Sequence, residues 1–391
     1  MFRAGVYCGW VGFGYGNLGD LTSYEVCRKR FPAIHWSPIA AFDYTPKPGQ
    51  FLRRSSRDFR QITRMLSEEL SKQRRLRGLI AKATHRVARF SGGEVGICGG
   101  ETFINRNLAS IRSYTGLRKR TGAPVPVLGT GVAEPDFWPA REDGWIDRRK
   151  EWVTILEELP TVGVRGPLSK GLLEEAGARN IVISGDPAVS LHKGYIQKQR
   201  QTERDGRLRI GINVGPYPRT WGRAEDIQDA TVALAQWLHK ARHEIELIPI
   251  WPRDIEACLE VARRAELPES SISPICFPQE VFLSRVQNLD LMVAMNLHSG
   301  ILAAVANVPF VSLEYQPKCR DFAATIGWEE FVIRTDELKP QRLIDLVCAL
   351  IAQLGVKRAE LCRSMCDLMN TFENYCCEIE PLLVGSRTST Q

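Results

Sequence analysis

Short apolar runs alternate with helical segments along most of this chain, and no other feature of the sequence constrains the fold as strongly. The first unit is an apolar run at residues 5–11, followed by a glycine-rich loop and a predicted helix at residues 22–30. Parallel strands need a crossover connection, usually a helix, so this repeated order is typical of parallel α/β sheets. We therefore predict an α/β protein whose ligands bind at the carboxyl ends of its strands.

A single stretch interrupts this alternation. Residues 193–207 are polar and basic and lack apolar periodicity, so we interpret them as a linker. A second series of strands and helices follows, and the end of the chain has a helical pattern. The prediction is two doubly wound Rossmann-like domains that face each other across a cleft, at residues 1–195 and 205–340, with a helical tail at residues 341–391. A chain of 391 residues, 44% of them hydrophobic, is long enough for two cores.

The eleven cysteines indicate neither a disulfide framework nor a metal site. They form no paired CxxC motifs, and the N-terminal residues lack the long apolar segment of a signal peptide. Cys362 and Cys366 stand at helical spacing, but no histidine or second cysteine pair completes a tetrahedral set. We expect reduced structural thiols, no bound metal and a cytoplasmic location.

Residues 291–313 carry no Asp, Glu, Lys or Arg and are long enough to imitate a membrane span. The segment contains Asn296, His298 and Pro309, and polar groups of this kind are rare in a lipid-facing helix. We interpret it as a buried strand, turn, helix and second strand.

The net charge of +7 is concentrated in one segment. Residues 53–89 hold twelve Lys and Arg against three acidic residues, which gives this segment +9 and leaves −2 for the rest of the chain. Such a segment is most often a solvated helix face, and the functional alternative is contact with an anionic membrane surface. Nucleic acid is not expected as a partner, because the segment offers few stacking aromatics and matches no recognition motif.

A glycine loop between the first strand and the first helix matches the pattern of dinucleotide-binding loops at Gly14, Gly16 and Gly19. Asp20 stands at the predicted helix start, where its carboxylate would repel a pyrophosphate. Asp20 is therefore either the N-cap of a tight turn or, with Asn17, part of a turn that presents polar groups to sugar hydroxyls.

Three basic side chains follow predicted strands in different parts of the chain. They are Arg165, His298 and Lys318. Positions after parallel strands open onto the ligand crevice, so the three side chains are candidates for an anion site. Each also has an ordinary alternative, respectively a turn cap, a histidine at a helix start and an exposed lysine. No Gly-x-Ser-x-Gly motif is present to support a serine nucleophile.

Six short motifs occur in a specific order over about residues 5–328. They are Gly-Asn-Leu-Gly-Asp at 16–20, Cys-Gly-Gly-Glu at 98–101, Val-Arg at 164–165, Gly-Asp-Pro-Ala at 185–188, Leu-His-Ser-Gly at 297–300 and Tyr-Gln-Pro-Lys at 315–318. In order and spacing, they resemble the polysaccharide pyruvyl transferase family. The chain departs from the family pattern at Asn296, where an Arg is usual, at Gly166, where an Asp is usual, and at Leu21 and Glu101.

This resemblance implies a glycosyltransferase B-like architecture and a transferase that moves pyruvate from phosphoenolpyruvate to a pair of sugar hydroxyls as a ketal. The acceptor would be a glycan or a lipid-linked glycan of cell-envelope or exopolysaccharide biosynthesis. The N-terminal domain would bind the acceptor and the C-terminal domain the donor. No cofactor is implied.

The resemblance also implies roles for individual residues. Arg165 and Lys318 would bind the donor, and His298 would transfer the proton near neutral pH. Asp186, Asp20 or Glu314 would activate a hydroxyl. The remaining candidates for substrate binding are Asn17, Asn296, Gly99 and Gly100.

Two other functions fit the same sequence. In a nucleotide-sugar glycosyltransferase, Arg165 and Lys318 would bind a diphosphate and Asp20 would act as base. In a non-catalytic carbohydrate-binding relative, the fold would remain without donor binding. If the acceptor is lipid-linked, the basic segment at residues 53–89 would bring the protein to the inner membrane face.

Overall fold

The structure is a computed structural model of the chain. It describes residues 2–8, 18–38, 95–99, 104–105, 108, 124–138, 145–195, 206–216, 219–251, 253–274 and 279–384. Asn17, Gly100, the basic segment at 53–89 and most of the predicted linker lie outside the described residues.

The first sheet is parallel and has six strands in the order β2-β1-β3-β4-β5-β6. The strands are β1 (Phe2–Cys8), β2 (Ile34–Pro38), β3 (Val95–Gly99), β4 (Val127–Thr130), β5 (Val162–Val164) and β6 (Ile181–Ile183). Three α-helices accompany them among the described residues: α1 (Leu18–Arg30), α2 (Arg149–Glu157) and α3 (Pro167–Glu175). Two 3₁₀ helices, Ile146–Arg148 and Pro187–Gly194, complete this half.

The second sheet is also parallel and has five strands in the order β11-β10-β9-β7-β8. The strands are β7 (Arg209–Asn213), β8 (Glu244–Leu247), β9 (Leu291–Ala294), β10 (Phe310–Glu314) and β11 (Val332–Arg334). The helices are α4 (Ala224–Lys240), α5 (Asp254–Arg264), α6 (Gln279–Val286), α7 (Leu297–Val305) and α8 (Lys318–Thr325). Two 3₁₀ helices, Glu269–Ser271 and Glu329–Phe331, also belong to this half.

The uncharged stretch at residues 291–313 forms β9, α7 and the start of β10, as predicted. Nearly every side chain in it is buried, which explains why its sequence is almost continuously apolar. None of the helices in the described part of the chain is long and apolar enough to cross a membrane.

The tail consists of α9 (Pro340–Ile351) and the long helix α10 (Leu354–Val384). α10 returns to the first sheet, where the buried Tyr375 hydroxyl donates to the Val127 carbonyl at 2.6 Å. Arg30 of α1 pairs with Glu373 and Glu380 of α10, each at 3.0 Å. The tail therefore joins the first half of the molecule, although it follows the second half in sequence.

The fold is the predicted α/β architecture of two parallel, Rossmann-like sheets with a helical tail. One local prediction was wrong. α1 begins at Leu18 and not at residue 22, because Leu18 is buried and its backbone N–H donates to the Ile250 carbonyl of the second half at 3.3 Å. Asp20 is therefore the third residue of α1 and not its N-cap.

Candidate functional site

The carboxyl ends of the two sheets meet at a cluster of three side chains. Arg165 directly follows β5, Asp186 begins the 3₁₀ helix Pro187–Gly194 after β6, and His298 is the second residue of α7. The first two belong to the six-stranded half and the third to the five-stranded half. Two of the three predicted basic residues therefore meet at one carboxylate.

Asp186 is completely buried and fully used as an acceptor. Its Oδ2 accepts from the Arg165 Nε at 3.2 Å, and Arg165 is itself only 1% exposed. Its Oδ1 accepts from the Ala188 backbone N–H at 3.0 Å, which caps the 3₁₀ helix, and from the Ser23 hydroxyl at 3.4 Å. A buried carboxylate held from several directions has a fixed position and orientation.

His298 faces this carboxylate. Its Nε2 lies 3.7 Å from Asp186 Oδ2, within ion-pair distance and beyond a hydrogen bond. On another side, the ring packs against Gly19, where an added Cβ would come within 2.0 Å of the ring atoms Cγ and Nδ1. Gly19 is therefore required because the first turn of α1 approaches the imidazole so closely.

The electrostatic state of Asp186 follows from its neighbours. Burial alone would raise the pKa of this carboxyl, but His298, Arg165 and the Ala188 N–H together lower it to about 2. Asp186 is thus an anion at any physiological pH, and a carboxylate with so low a pKa is a poor general base. Such a carboxylate pairs with Arg165 and can stabilise positive charge that develops beside it.

Asn296 stabilises the backbone at the start of α7. It is the N-cap of α7, and its side-chain oxygen accepts from the His298 backbone N–H at 2.9 Å. Asn213, at the end of β7, supports the turn, because its Oδ1 accepts from the Asn296 N–H at 2.9 Å and from the Ser299 hydroxyl at 3.0 Å. The residue that stands where the family usually has Arg therefore fixes the backbone that carries His298.

The same network ends at a carboxyl group that the sequence analysis did not identify. Asp254 is fully buried, and its Oδ2 accepts from the Ile250 and Trp251 backbone N–H groups at 3.1 and 3.2 Å and from the Asn213 amide at 3.3 Å. Burial outweighs these three donors and raises the pKa of Asp254 to about 7. No motif marked this residue, because two of its donors are local backbone N–H groups and the third, Asn213, lies on a distant strand.

Lys318 and Glu314 lie at a neighbouring part of the same edge. Lys318 is the first residue of α8, and its ammonium lies 5.1 Å from the centre of the Tyr315 ring. Glu314 is 2% exposed and pairs with Arg320 at 2.8 Å, while burial raises the pKa of its carboxyl. The Thr325 hydroxyl, at the far end of α8, lies 3.4 Å from the Arg165 carbonyl and donates to it. Lys318 is thus separated from that contact by two turns of α8, or about 10 Å along the axis.

α8 also caps a helix of the other half. Asp321 Oδ1 accepts from the Leu168 and Ser169 backbone N–H groups at 2.9 and 3.3 Å, and its Oδ2 accepts from the Ser169 hydroxyl at 2.6 Å. Gly166 is the N-cap of α3 and has no side chain to do this, and an added Cβ there would lie 2.4 Å from the Asp321 carbonyl oxygen. Gly166 stands where the family usually has Asp. Here Asp321 of the opposite half caps α3 instead.

The remaining predicted residues are placed only by their backbone. Gly99 ends β3, where it pairs with Leu128 of β4, and Asp20 lies in the first turn of α1. Helices α3, α7 and α8 all begin at this edge of the sheets, since each follows a parallel strand. Their positive ends favour negative charge there, which the Asp321 carboxylate already supplies at α3.

Comparison with known proteins identifies the family. The family model described as polysaccharide pyruvyl transferase matches residues 53–317, about two thirds of the chain. No curated protein matches the sequence.

Solved structures match over the full chain at low sequence identity. S. aureus MnaA in its UDP co-structure has a TM-score of 0.59 and 12% identity, with 100% of this chain and 99% of that chain covered. A putative UDP-N-acetylglucosamine 2-epimerase from Listeria monocytogenes has a TM-score of 0.57 and 10% identity, covering 98% and 97%. The UDP-GlcNAc 2-epimerase from Neisseria meningitidis bound to UDP-GlcNAc has a TM-score of 0.52 and 12% identity, covering 98% and 100%. At such identities these matches show the shared glycosyltransferase B-like fold alone.

Proposed function

The chain belongs to the polysaccharide pyruvyl transferase family, and on this premise we propose that it transfers pyruvate from phosphoenolpyruvate to two hydroxyls of a sugar. The observation that carries the proposal is the placement of His298, with an ionised carboxylate behind it, where helix N-termini of both halves meet. A proton-transfer group next to an anion-favouring edge suits this donor.

The reaction requires two protons to move. One acceptor hydroxyl adds to the central carbon of phosphoenolpyruvate while the methylene carbon takes up a proton and becomes a methyl group. The second hydroxyl adds to the same carbon, the carbon–oxygen bond to phosphate breaks, and phosphate leaves with the second proton. In this scheme His298 donates the first proton and accepts one from a hydroxyl.

Asp186 and Arg165 act through His298. The anionic Asp186, 3.7 Å away, stabilises the imidazolium that forms when His298 accepts a proton. Arg165 holds Asp186 by a buried hydrogen bond of 3.2 Å. We therefore assign both as positioning residues. Of the three residues expected to activate a hydroxyl, Asp20 and Glu314 then remain as candidates.

Lys318 is the better candidate for direct contact with the donor. It is partly exposed at the positive end of α8, whereas Arg165 is 1% exposed with its Nε on Asp186. A charge-assisted bond from Lys318 to the carboxylate or phosphate would contribute about 1.5–3 kcal/mol.

The acceptor in this proposal is a glycan or lipid-linked glycan of the cell envelope or of an exopolysaccharide. The protein would act in the cytoplasm, with the +9 segment at residues 53–89 binding the anionic inner membrane face. Clustered basic residues add about 1 kcal/mol each near such a surface.

The alternative function is a nucleotide-sugar glycosyltransferase or related enzyme. The observation in its favour is that the MnaA structure with UDP and the epimerase structure with UDP-GlcNAc share this fold. The same edge of helix N-termini would then hold a diphosphate.

Ligand-dependent thermal unfolding separates the candidates. Ligand at about 100 times its Kd stabilises a protein by about 2.7 kcal/mol. We expect phosphoenolpyruvate to raise the Tm of the wild-type protein, and Lys318→Ala to reduce the shift. A shift with UDP or GDP alone would favour the glycosyltransferase, and no shift with any of these donors would favour the non-catalytic relative.

A further inference from the structure

A second histidine lies beside two thiols, away from the proposed active site. His192 in the 3₁₀ helix Pro187–Gly194 faces Cys362 and Cys366 on α10, and one ligand atom from each lies within 4.8 Å of the others. The two cysteines are four residues apart and so share a face of α10. The sequence did not reveal His192 as a neighbour of these cysteines, because the fold brings it from a distant segment.

The hydrogen bonding of His192 leaves a ligand atom available. Its Nδ1 lies 2.9 Å from the Val305 carbonyl, which can only accept, so Nδ1 carries the proton. The buried Nε2 has no hydrogen-bond partner among the residues that the structure describes.

This is the arrangement of a metal-binding histidine. Such a ring usually donates one N–H to a carbonyl or carboxylate and turns its other nitrogen toward the ion. A fully buried nitrogen without a hydrogen-bond partner otherwise destabilises the folded protein, since it has lost its hydrogen bond to water.

The thiols complete a suitable donor set. Both cysteines are partly buried, so the site lies near the surface. Typical zinc bond lengths place neighbouring ligand atoms about 3.5–3.8 Å apart in a tetrahedral site. Small side-chain rotations suffice to reach this spacing from separations within 4.8 Å.

We propose that His192, Cys362 and Cys366 bind one Zn²⁺ ion, with the fourth position taken by solvent. Two sulfurs and an imidazole nitrogen select zinc over Mg²⁺ or Ca²⁺, which prefer oxygen ligands. On binding, each thiol releases its proton to the solvent and becomes a thiolate ligand.

The location gives the ion a structural role. Asp186 is the N-cap of the 3₁₀ helix that carries His192, and the Val305 carbonyl bonded to His192 ends α7, whose second residue is His298. Zinc would fasten α10 to the segment that positions Asp186. The ion is too far along this segment from Asp186 to take part in the proposed chemistry.

The test uses the full-length protein, purified under reducing conditions. Its zinc content as purified is measured by mass spectrometry, and the protein is then freed of metal and titrated with Co²⁺, which absorbs strongly when bound to thiolates. We expect one equivalent of Zn²⁺, a thiolate-to-cobalt absorption band, and a Tm that rises when Zn²⁺ is added.

Three variants and one control assign the ligands. Cys362→Ser and Cys366→Ser should each lose the cobalt–thiolate band or reduce it by at least half. His192→Asn keeps a side-chain N–H for the Val305 carbonyl but lacks Nε2, and it should bind Zn²⁺ at least tenfold more weakly. Cys348→Ser changes a partly buried cysteine on α9, outside the cluster, and should bind like wild type.

Two results would overturn the proposal. They are the absence of stoichiometric zinc in the folded wild-type protein and equal binding by the Cys362→Ser/Cys366→Ser double variant. Circular dichroism of each metal-free variant verifies that a loss of binding does not reflect unfolding.

Discussion

Gly19 shows how one missing side chain shapes the site. Because a Cβ at this position would come within 2.0 Å of the His298 ring, Gly19→Ala must displace the imidazole or α1. We expect a loss of about 1–3 kcal/mol in unfolding free energy together with reduced turnover. Urea unfolding and the transferase assay measure both effects.

Gly171 provides the matched control. It lies in α3, and an added Cβ there meets no atom within 4 Å. Gly171→Ala should therefore stabilise the protein by about 0.5–1 kcal/mol, with turnover unchanged. Equal stability of Gly19→Ala and wild type would show that the ring does not pack as described.

The raised pKa of Asp254 predicts how the stability of the protein depends on pH. Its pKa is raised to about 7 in the folded state from an ordinary value of 3.8, so the folded protein binds a proton more tightly than the unfolded chain. The stability from this group is complete below pH 3.8 and is lost as pH rises toward 7. Asp254→Asn, which keeps an acceptor oxygen, should flatten the fall in Tm between these pH values. An unchanged pH profile in that variant would mean that Asp254 is already ionised.

Asp186 has the opposite dependence. Its pKa of about 2 lies below the ordinary 3.8, so its contribution to stability is present above pH 3.8 and lost as pH falls toward 2. Near pH 5, Asp186 is therefore ionised and Asp254 is protonated. The difference arises because, in the described part of the chain, Asp186 lies beside a cation and Asp254 does not.

At the scale of the elements, α8 joins the two halves through Asp321. Asp321→Ala removes the acceptor for two backbone N–H groups of α3 and for the Ser169 hydroxyl. We expect a loss of about 1–2 kcal/mol, with hydrogen exchange fastest at the Leu168 and Ser169 amides. Asp345→Ala, an exposed acidic residue on α9, is the control and should change neither quantity.

The elements themselves were largely predictable. The apolar runs that predicted β5, β9 and β10 form these strands, because parallel strands are buried on both faces and are therefore rich in apolar residues. The start of α1 was placed four residues late, since contact of Leu18 with the second half extends the helix. Local pattern does not report such tertiary contacts.

The contacts within the site were less predictable than the elements. Strand-end position identified Arg165 and His298, but not that Asp186 would bind both. Three further contacts join residues that are far apart in sequence. They are Gly166 with Asp321, His192 with the two cysteines, and Asp254 with Asn213. These pairs depend on tertiary packing between distant segments, which the local pattern of a single sequence does not reveal.

At the scale of the whole molecule, the basic segment at residues 53–89 predicts membrane association. With +9 in a chain that is otherwise at −2, we expect sedimentation with anionic vesicles at low salt and release at high salt. Replacing Arg74, Arg75 and Arg77 by Glu should abolish binding, whereas replacing three exposed arginines elsewhere, Arg223, Arg263 and Arg342, should not. Equal recovery with anionic and neutral vesicles at both salt concentrations would reject this docking.

The identity of the transferred group decides between the proposed functions. The decisive measurement incubates the protein with phosphoenolpyruvate and glycan from cells that lack it, followed by mass spectrometry of the glycan and assay of released phosphate. We predict one pyruvate ketal per phosphate released, and a turnover lower by ~10²–10⁴ in folded His298→Ala. Transfer of a sugar from a nucleotide sugar, or unchanged turnover in that variant, would contradict the account.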